Sequence, residues 1–164
     1  SGAGSTVLID SGTTTARFAA ALAGTQQQTV VTNSVPIASQ LALLQGGHVH
    51  LLGGRVRGLT QATVGGETVE ALGRLHCDVA FLGANGVTVH HGLSTPDPDE
   101  AAVKRAMVRS ARRKVVLADS SKVGATLLIS FAALNEIDVL VTDSGLSEAD
   151  RQQLVNAGLE VVVA

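Results

Sequence analysis

The chain has 164 residues, 45% of them hydrophobic, with 12 lysines and arginines against 14 aspartates and glutamates, a formal net charge of -2 and no Trp or Tyr. This length suffices for one domain with its own core, without a metal or a disulfide to stabilise it. The charge balance excludes a global basic surface for DNA or an anionic membrane, and the lack of Trp and Tyr disfavours stacking on single-stranded nucleic acid. No apolar run approaches the roughly 20 residues that span a bilayer, so no membrane association is expected.

Residues 1–6 are expected to be a linker or a cloning scar, because they lack the charged segment and apolar core of a signal peptide. The single Cys77 cannot form an internal disulfide, which favours a reduced, cytoplasmic setting. The five histidines lack cysteine or acidic neighbours at metal-site spacing, so no metal and no other cofactor is expected.

Short β-branched apolar runs follow one another along the chain, each separated from the next by a helical pattern or a Gly-rich turn. The runs predict strands at 7–9, 30–31, 49–52, 79–82, 115–118, 139–141 and 161–163. They do not alternate with polar residues, as expected for strands buried on both faces. Helical patterns lie between them at about 13–23, 34–45, 66–75, 98–113 and 147–157. This order predicts one α/β domain over 7–164, with a mostly parallel, Rossmann-like sheet flanked by helices.

The first predicted strand leads into Asp10-Ser11-Gly12-Thr13-Thr14-Thr15 and then a helix. Ligands of parallel α/β sheets bind beyond the carboxyl ends of the strands. Hydroxyl groups and free backbone N–H groups at the positive end of a helix dipole suit a phosphate or a carboxylate. Simple capping of the helix by the same side chains explains these residues equally well, and no GxGxxG or Walker pattern is present.

Further polar and glycine residues follow the next three strands. Thr32-Asn33-Ser34 opens a second helix, and two polar helix starts at neighbouring strand ends would face one ligand from adjacent loops. Gly54 and the segment 83–86 follow the third and fourth strands, where a glycine lets the backbone approach a ligand closely. Turn formation alone accounts for these glycines equally well.

The helix that begins near Pro98 is the most diagnostic element. Asp97 as N-cap, Pro98 as first residue and Glu100 three residues after the cap predict a capping box. At 100° per residue Lys104 lies at the centre of an apolar arc, with Glu100 one turn earlier, so its ammonium is predicted to point inward. A buried ammonium needs Glu100 or an anionic ligand as partner. A Glu100–Lys104 pair without ligand, or a lysine that snorkels outward, are the alternatives.

Other cations surround this helix. Lys122, in Asp119-Ser120-Ser121-Lys122, follows the next strand and would add a second cation at the same edge of the sheet, unless it is a solvated loop residue. Arg105, Arg109, Arg112 and Arg113 are predicted on the opposite side of the helix from Lys104. We interpret these four as a solvated face or a subunit contact rather than a DNA surface.

Several motifs, in this order from about Val7 to Val163, resemble the C-terminal effector-sensing domain of DeoR-family bacterial transcription regulators. They are Asp10-Ser11-Gly12-Thr13-Thr14, Val31-Thr32-Asn33-Ser34, Leu52-Gly53-Gly54, the segment 78–83, Gly92-Leu93-Ser94-Thr95, the segment 100–107 and Asp119-Ser120-Ser121-Lys122. The resemblance implies a fold similar to ribose-5-phosphate isomerase, glucosamine-phosphate isomerase and the CoA-transferases.

The resemblance also implies a function. An intact regulator of this family would be a repressor of carbohydrate metabolism that binds DNA only through an N-terminal helix-turn-helix, which we expect to be absent from this chain. The partners expected for this domain are a phosphorylated sugar or similar small anionic metabolite and further copies of itself in a dimer or tetramer. The expected effector-binding residues are Asp10, Ser11, Gly12, Thr13, Thr14, Thr15, Thr32, Asn33, Ser34, Gly54, Gly83, Asn85, Gly86, Glu100, Lys104 and Lys122.

Two other functions stay open at this point. A sugar-phosphate isomerase of this fold needs a carboxylate as general base. The segment 82–86 has none where the isomerases carry an acidic stretch, which leaves Glu100 as the one candidate and makes a non-enzyme the expectation. A pure oligomerisation module would bind no small anion at all.

Overall fold

The computed structural model describes residues 4–22, 28–44 and 48–164, and this part of the chain forms both strands and α helices. In chain order the elements are β1 (Thr6–Ile9), α1 (Thr13–Leu22), β2 (Thr29–Thr32), α2 (Val35–Leu44), β3 (Val49–Leu51), β4 (Arg55–Arg57), β5 (Ala62–Val64), α3 (Gly66–Gly73), β6 (Cys77–Gly83), β7 (Gly86–Thr88), β8 (Gly92–Thr95), α4 (Pro98–Ser110), β9 (Ala111–Leu117), β10 (Ile129–Ala132), β11 (Val139–Thr142), α5 (Glu148–Asn156) and β12 (Glu160–Val163). Short 3-10 helices lie at Ser120–Lys122 and Leu134–Glu136. The predicted helix ends at 23 and 45, and the first three residues of the expected linker, lie outside the described residues.

A seven-stranded sheet in the order β12-β11-β9-β6-β1-β2-β3 forms the centre of the fold, and all its neighbouring strands are parallel. Side chains alternate between the two faces of a strand, so Val7 and Ile9 share one face of β1 and Leu8 occupies the other. Val7 and Ile9 pack with Ile37 of α2, whereas Leu8 belongs to a second cluster with Met107 of α4. Helices therefore cover both faces, which confirms the predicted mostly parallel α/β sheet.

Helix α4 ends three residues earlier than predicted. It stops at Ser110, and Ala111 already pairs with the first residue of β6. Backbone hydrogen bonds with β6 thus replace the helical ones at this point. Arg112 and Arg113 consequently lie in β9, so their predicted place on the helix face opposite Lys104 is wrong.

Arg105 makes an internal ion pair. Its guanidinium lies 2.6 Å from the carboxylate of Glu136 and donates to the carbonyl of Phe131 at 3.3 Å. The backbone N–H of Ala133, together with Arg105, holds the pKa of Glu136 below its usual range. This pair ties α4 to the short helix after β10, whereas Arg109 on the same helix is exposed.

Two small antiparallel sheets lie outside the main sheet, and the sequence patterns predicted neither of them. One has the order β10-β8-β7, and the other is the hairpin of β4 and β5. Their strands have only three or four residues each, several of which are glycine or polar. Such segments carry too little apolar periodicity to be distinguished from loops.

Asp78 anchors the start of β1 to β6. Its carboxylate accepts hydrogen bonds from the backbone N–H of Thr6 at 2.8 Å and from the Thr6 hydroxyl at 3.2 Å. The Thr6 hydroxyl in turn accepts from the backbone N–H of Asp78 at 3.0 Å. The backbone hydrogen bond from Thr6 is the main reason why the pKa of Asp78 is lowered, since it favours the ionised carboxylate.

We therefore expect Asp78 to contribute to the loss of stability in acid. A folded-state pKa below the unfolded value gives stability that is fully present above the unfolded pKa, about 3.9, and lost as the pH falls through the folded pKa. Asp78→Asn should show a smaller drop in unfolding temperature between pH 7 and pH 3 than the unsubstituted protein. Thr6→Ser, which retains the hydroxyl, should keep the original drop. An equal drop in all three proteins would contradict this role.

Candidate functional site

A cavity of about 190 Å³ lies at the carboxyl edge of the central strands. Because β1, β6 and β9 are neighbours in the sheet, the loops that follow them meet there. The predicted effector-binding residues that line it are Ser11, Gly12, Thr13, Thr14, Thr15, Gly83, Asn85, Glu100, Lys104 and Lys122. The other lining residues, which include Thr60, Thr95 and Asp119, are not among the predicted effector-binding residues.

The loop after β1 presents the start of α1 to this cavity. The carbonyl of Gly12 accepts the backbone N–H of Ala16 at 3.0 Å and the hydroxyl of Thr15 at 3.1 Å. Within the described residues, the hydroxyls of Ser11, Thr13 and Thr14 have no hydrogen-bond partner. The first-turn N–H groups of a helix also lack intrahelical acceptors. Side-chain capping therefore does not account for these residues, and their donors remain available to a ligand.

Lys104 points inward, as predicted, and its partner is Asp10. The two form an ion pair in which the lysine side chain is 8% exposed and the aspartate 2%. The ammonium also donates to the carbonyl of Gly83 at 3.0 Å and lies 5.5 Å from the ring centroid of Phe131. The expectation that Lys104 pairs with Glu100 or requires an anionic ligand is therefore wrong.

The backbone completes the coordination of Asp10. One carboxylate oxygen accepts the backbone N–H of Ser11 at 2.9 Å, and the other accepts that of Gly83 at 3.1 Å as well as the ammonium of Lys104. Asp10 thus lies beneath the cavity and ties the ends of β1 and β6 to α4. An ammonium has three donors, so Lys104 keeps one for the cavity that it lines.

Glu100 is engaged by the hairpin of β4 and β5. One carboxylate oxygen lies 2.8 Å from the guanidinium of Arg57, and the other accepts the hydroxyl of Thr60 at 2.9 Å. Asp97 caps α4 as predicted, since its side chain accepts the backbone N–H of Glu100 at 2.9 Å. The return bond of the predicted capping box is replaced by these contacts with the hairpin.

Lys122 lies in the short helix after β9. Asp119 caps that helix by accepting the backbone N–H of Ser121 at 3.0 Å. Asp143 accepts the backbone N–H of Ser120 at 2.9 Å, and hydrogen bonding from Ser120 lowers the pKa of Asp143. The ammonium of Lys122 forms no ion pair or hydrogen bond with any described residue, so it is the available cation of the cavity.

The predicted second polar loop does not line the cavity. The hydroxyl of Thr32 donates to the carbonyl of Ile9 at 2.7 Å, and the amide of Asn33 donates to the carbonyl of Thr63 at 3.0 Å. Ser34 caps α2 by accepting the backbone N–H of Ile37 at 3.2 Å. The two polar helix starts therefore do not face one cavity, because this loop instead supports β5.

Gly54 and Gly86 also lie outside the cavity lining, and close packing explains both. A Cβ at Gly54 would lie 2.1 Å from the hydroxyl of Thr68, at a φ of +147° that side chains disfavour. A Cβ at Gly86 would lie 2.3 Å from the carbonyl oxygen of Ala125.

A larger cavity of about 480 Å³ lies between β7 and α5. Val87 and Leu154 form part of its lining, and none of the described residues that line it is a lysine or an arginine. Among the described ranges, no group of three or more His, Cys, Asp or Glu side chains is arranged to hold a metal ion. Within the same ranges, every helix is too short or too polar to cross a bilayer.

We expect the Asp10–Lys104 pair to be strongly coupled in stability. Lys104→Met leaves a buried carboxylate without its cation and should cost about 3–5 kcal/mol of unfolding free energy. Adding Asp10→Asn removes the uncompensated charge and should recover much of that loss, so the double variant should be more stable than the Lys104→Met single variant. Urea unfolding at pH 7 measures the unfolding free energies of the unsubstituted protein, the two single variants and the double variant. Additive losses would show that the two side chains act independently.

Comparison with known proteins identifies relatives of this chain by sequence similarity. The chain is 38% identical over 159 residues to the HTH-type transcriptional regulator GlpR of Haloferax volcanii, covering 97% of this chain and 62% of GlpR. It is 34% identical over 160 residues to the HTH-type transcriptional repressor GlcR of Bacillus subtilis, covering 98% of this chain and 61% of GlcR. The chain thus spans about three fifths of the length of these curated relatives.

Ribose 5-phosphate isomerase A of Methanocaldococcus jannaschii is a structural neighbour, with a TM-score of 0.49 and 20% identity, covering 75% of this chain and 48% of that one. The model of the family described as the DeoR C terminal sensor domain matches residues 2–144. A match over this much of the chain, together with the identity to GlpR and GlcR, shows that the chain belongs to the DeoR family as a C-terminal sensor domain.

Proposed function

We propose that this domain binds a phosphorylated sugar, or a closely similar anionic metabolite, in the cavity at the carboxyl edge of the sheet. The observation that carries the proposal is the convergence of unpartnered donors on that cavity. Ser11, the first turn of α1 with Thr13 and Thr14, and Lys122 all line it. Such a set of donors at the positive end of a helix suits a phosphate group.

The charges of the cavity favour one orientation of the ligand. The carboxylate of Asp10 is compensated by Lys104 and lies beneath the residues that it contacts, Ser11, Gly83 and Lys104, which form the floor of the cavity. The residues 11–15 therefore present no carboxylate to the ligand. Glu100 and Asp119 are the carboxylates among the lining residues. The phosphate would therefore bind at the start of α1, and the hydroxyl-bearing part of the sugar would lie towards Glu100 and Asn85.

Binding without turnover is the activity that we infer for this cavity. Both carboxylate oxygens of Glu100, the general base suggested by the sequence, already accept hydrogen bonds from the hairpin, and the second carboxylate of the lining, Asp119, accepts hydrogen bonds from Ser121. GlpR and GlcR, the relatives described above, are named as transcription regulators rather than isomerases. A measured isomerisation of ribose 5-phosphate that disappears in Glu100→Gln would favour the enzyme instead.

In the longer protein, ligand binding would control DNA binding by a separate helix-turn-helix segment, as the names of GlpR and GlcR suggest. We propose that the regulator is a repressor of carbohydrate metabolism and that the sensor domain forms a dimer or tetramer. Ligand-dependent rearrangement of such an oligomer would reposition the DNA-binding segments. Coupling of this kind is typically 1–3 kcal/mol, or about 5–150-fold in affinity.

A thermal-shift screen tests the ligand class. The panel is ribose 5-phosphate, fructose 6-phosphate, glycerol 3-phosphate, the matching unphosphorylated compounds and inorganic phosphate, followed with an external dye. A ligand at 100 times its dissociation constant stabilises the folded state by about 2.7 kcal/mol, which is readily detected. We expect a shift with at least one phosphosugar and none with its unphosphorylated form. Equal shifts with both forms, or none with any phosphosugar, would contradict the proposal.

Lys122 and Lys114 provide a matched pair of variants. Lys122→Gln removes the available cation of the cavity and should weaken phosphosugar binding about tenfold, since a charge-assisted hydrogen bond is lost. Lys114→Gln makes the same change of charge at a residue outside the cavity lining and should stay within about twofold of the original affinity. Isothermal titration of both variants measures the difference. Equal effects would assign the loss to net charge alone.

A further inference from the structure

We infer that the hairpin of β4 and β5 is the wall of this cavity that recognises the hydroxyl groups of the sugar, with Thr60 as the contact. The inference rests on the proposed function and adds to it a specificity-determining residue. Thr60 lies in the turn of the hairpin and lines the cavity. Arg57 acts as a positioning residue, because it holds Glu100 beside Thr60.

The hairpin is held at two places. On one side it pairs with the loop after β2, where the backbone N–H of Thr63 donates to the carbonyl of Asn33 at 2.8 Å. The backbone N–H of Val35 also donates to the carbonyl of Gln61 at 3.0 Å. The polar loop predicted to bind the ligand therefore supports the element that reaches the cavity.

On the other side, arginines join the hairpin to the first turn of α4. The guanidinium of Arg57 lies 2.8 Å from the carboxylate of Glu100, and the guanidinium of the exposed Arg55 lies 2.9 Å from the carboxylate of Asp99. An isolated two-stranded hairpin is at best marginally stable in water, so these attachments determine its position. A ligand that bridges Thr60 and the cavity floor would add a third attachment.

The hydrogen-bonding groups at this wall suit hydroxyls rather than phosphate. Each carboxylate oxygen of Glu100 accepts one protein donor and retains lone-pair capacity for a second. The hydroxyl of Thr60 donates to Glu100 and can still accept. A sugar hydroxyl can therefore donate to either residue, whereas the Thr60 hydroxyl, which already donates to Glu100, has no second proton to offer a phosphate group.

The test compares Thr60→Val with Thr60→Ser. Valine retains the shape but lacks the hydroxyl, whereas serine retains the hydroxyl. Dissociation constants are measured by isothermal titration with ribose 5-phosphate, fructose 6-phosphate, glycerol 3-phosphate and inorganic phosphate. For the phosphosugar that binds the unsubstituted protein most tightly, Thr60→Val should weaken binding about tenfold and Thr60→Ser less than threefold, since one hydrogen bond is lost only in the former. The affinity for inorganic phosphate should stay within twofold in both.

Leu59→Ala provides a control in the same turn. Leu59 is 84% exposed and is absent from the cavity lining, so its truncation should leave all affinities within twofold. Amide hydrogen exchange gives an independent readout of the wall. The phosphosugar should slow exchange of the amides in 55–64, and inorganic phosphate should not.

The outcomes separate this inference from the proposed function. Suppose that a phosphosugar binds, but that Thr60→Val lowers the affinities for the phosphosugar and for inorganic phosphate equally, or lowers neither. Thr60 is then not a contact for a sugar hydroxyl, and the inference is overturned while the proposed function stands. If Leu59→Ala matches Thr60→Val, the effect belongs to the turn as a whole and the inference is likewise overturned. If no phosphosugar binds the unsubstituted protein, both proposals fail.

Discussion

The buried ion pair of Asp10 and Lys104 is the interaction on which the candidate site depends. It joins the end of β1 to α4, and backbone groups of Ser11 and Gly83 complete its hydrogen bonding. Burying two charges is costly unless each is paired and hydrogen-bonded, and here both conditions are met. The positions of the loops after β1 and β6 are therefore set before any ligand arrives.

This arrangement divides the cavity into parts with different roles. The floor and the start of α1 are connected directly to the parallel sheet, which is buried on both faces. The wall beside Glu100 belongs to a two-stranded hairpin that is attached through Arg57 and through the loop that contains Asn33. A ligand that contacts both parts, as we propose, would link the start of α1 to a less extensively supported element. That geometry is consistent with the proposed binding of a ligand without turnover.

Much of the fold was predictable because its signals are local. Apolar runs of strand length, separated by amphipathic segments, indicated the seven strands of the main sheet and the five α helices. The short strands of the hairpin and of the β10-β8-β7 sheet escaped prediction, because tertiary pairing and not hydrophobic periodicity makes them strands. The end of α4 was misplaced for a similar reason, since only the pairing of Ala111 with β6 converts 111–113 from helix to strand.

The sequence by itself determined the sheet, the polar start of α1 at its carboxyl edge and the inward direction of Lys104, because each follows from spacing along one segment. Only the tertiary structure decided the partners. It paired Lys104 with Asp10, 94 residues away, and Glu100 with Arg57 and Thr60, 43 and 40 residues away. It also placed Thr60 at the cavity and left Thr32 outside it. Contacts between distant segments depend on how the elements pack, and no periodicity within a single segment encodes that choice.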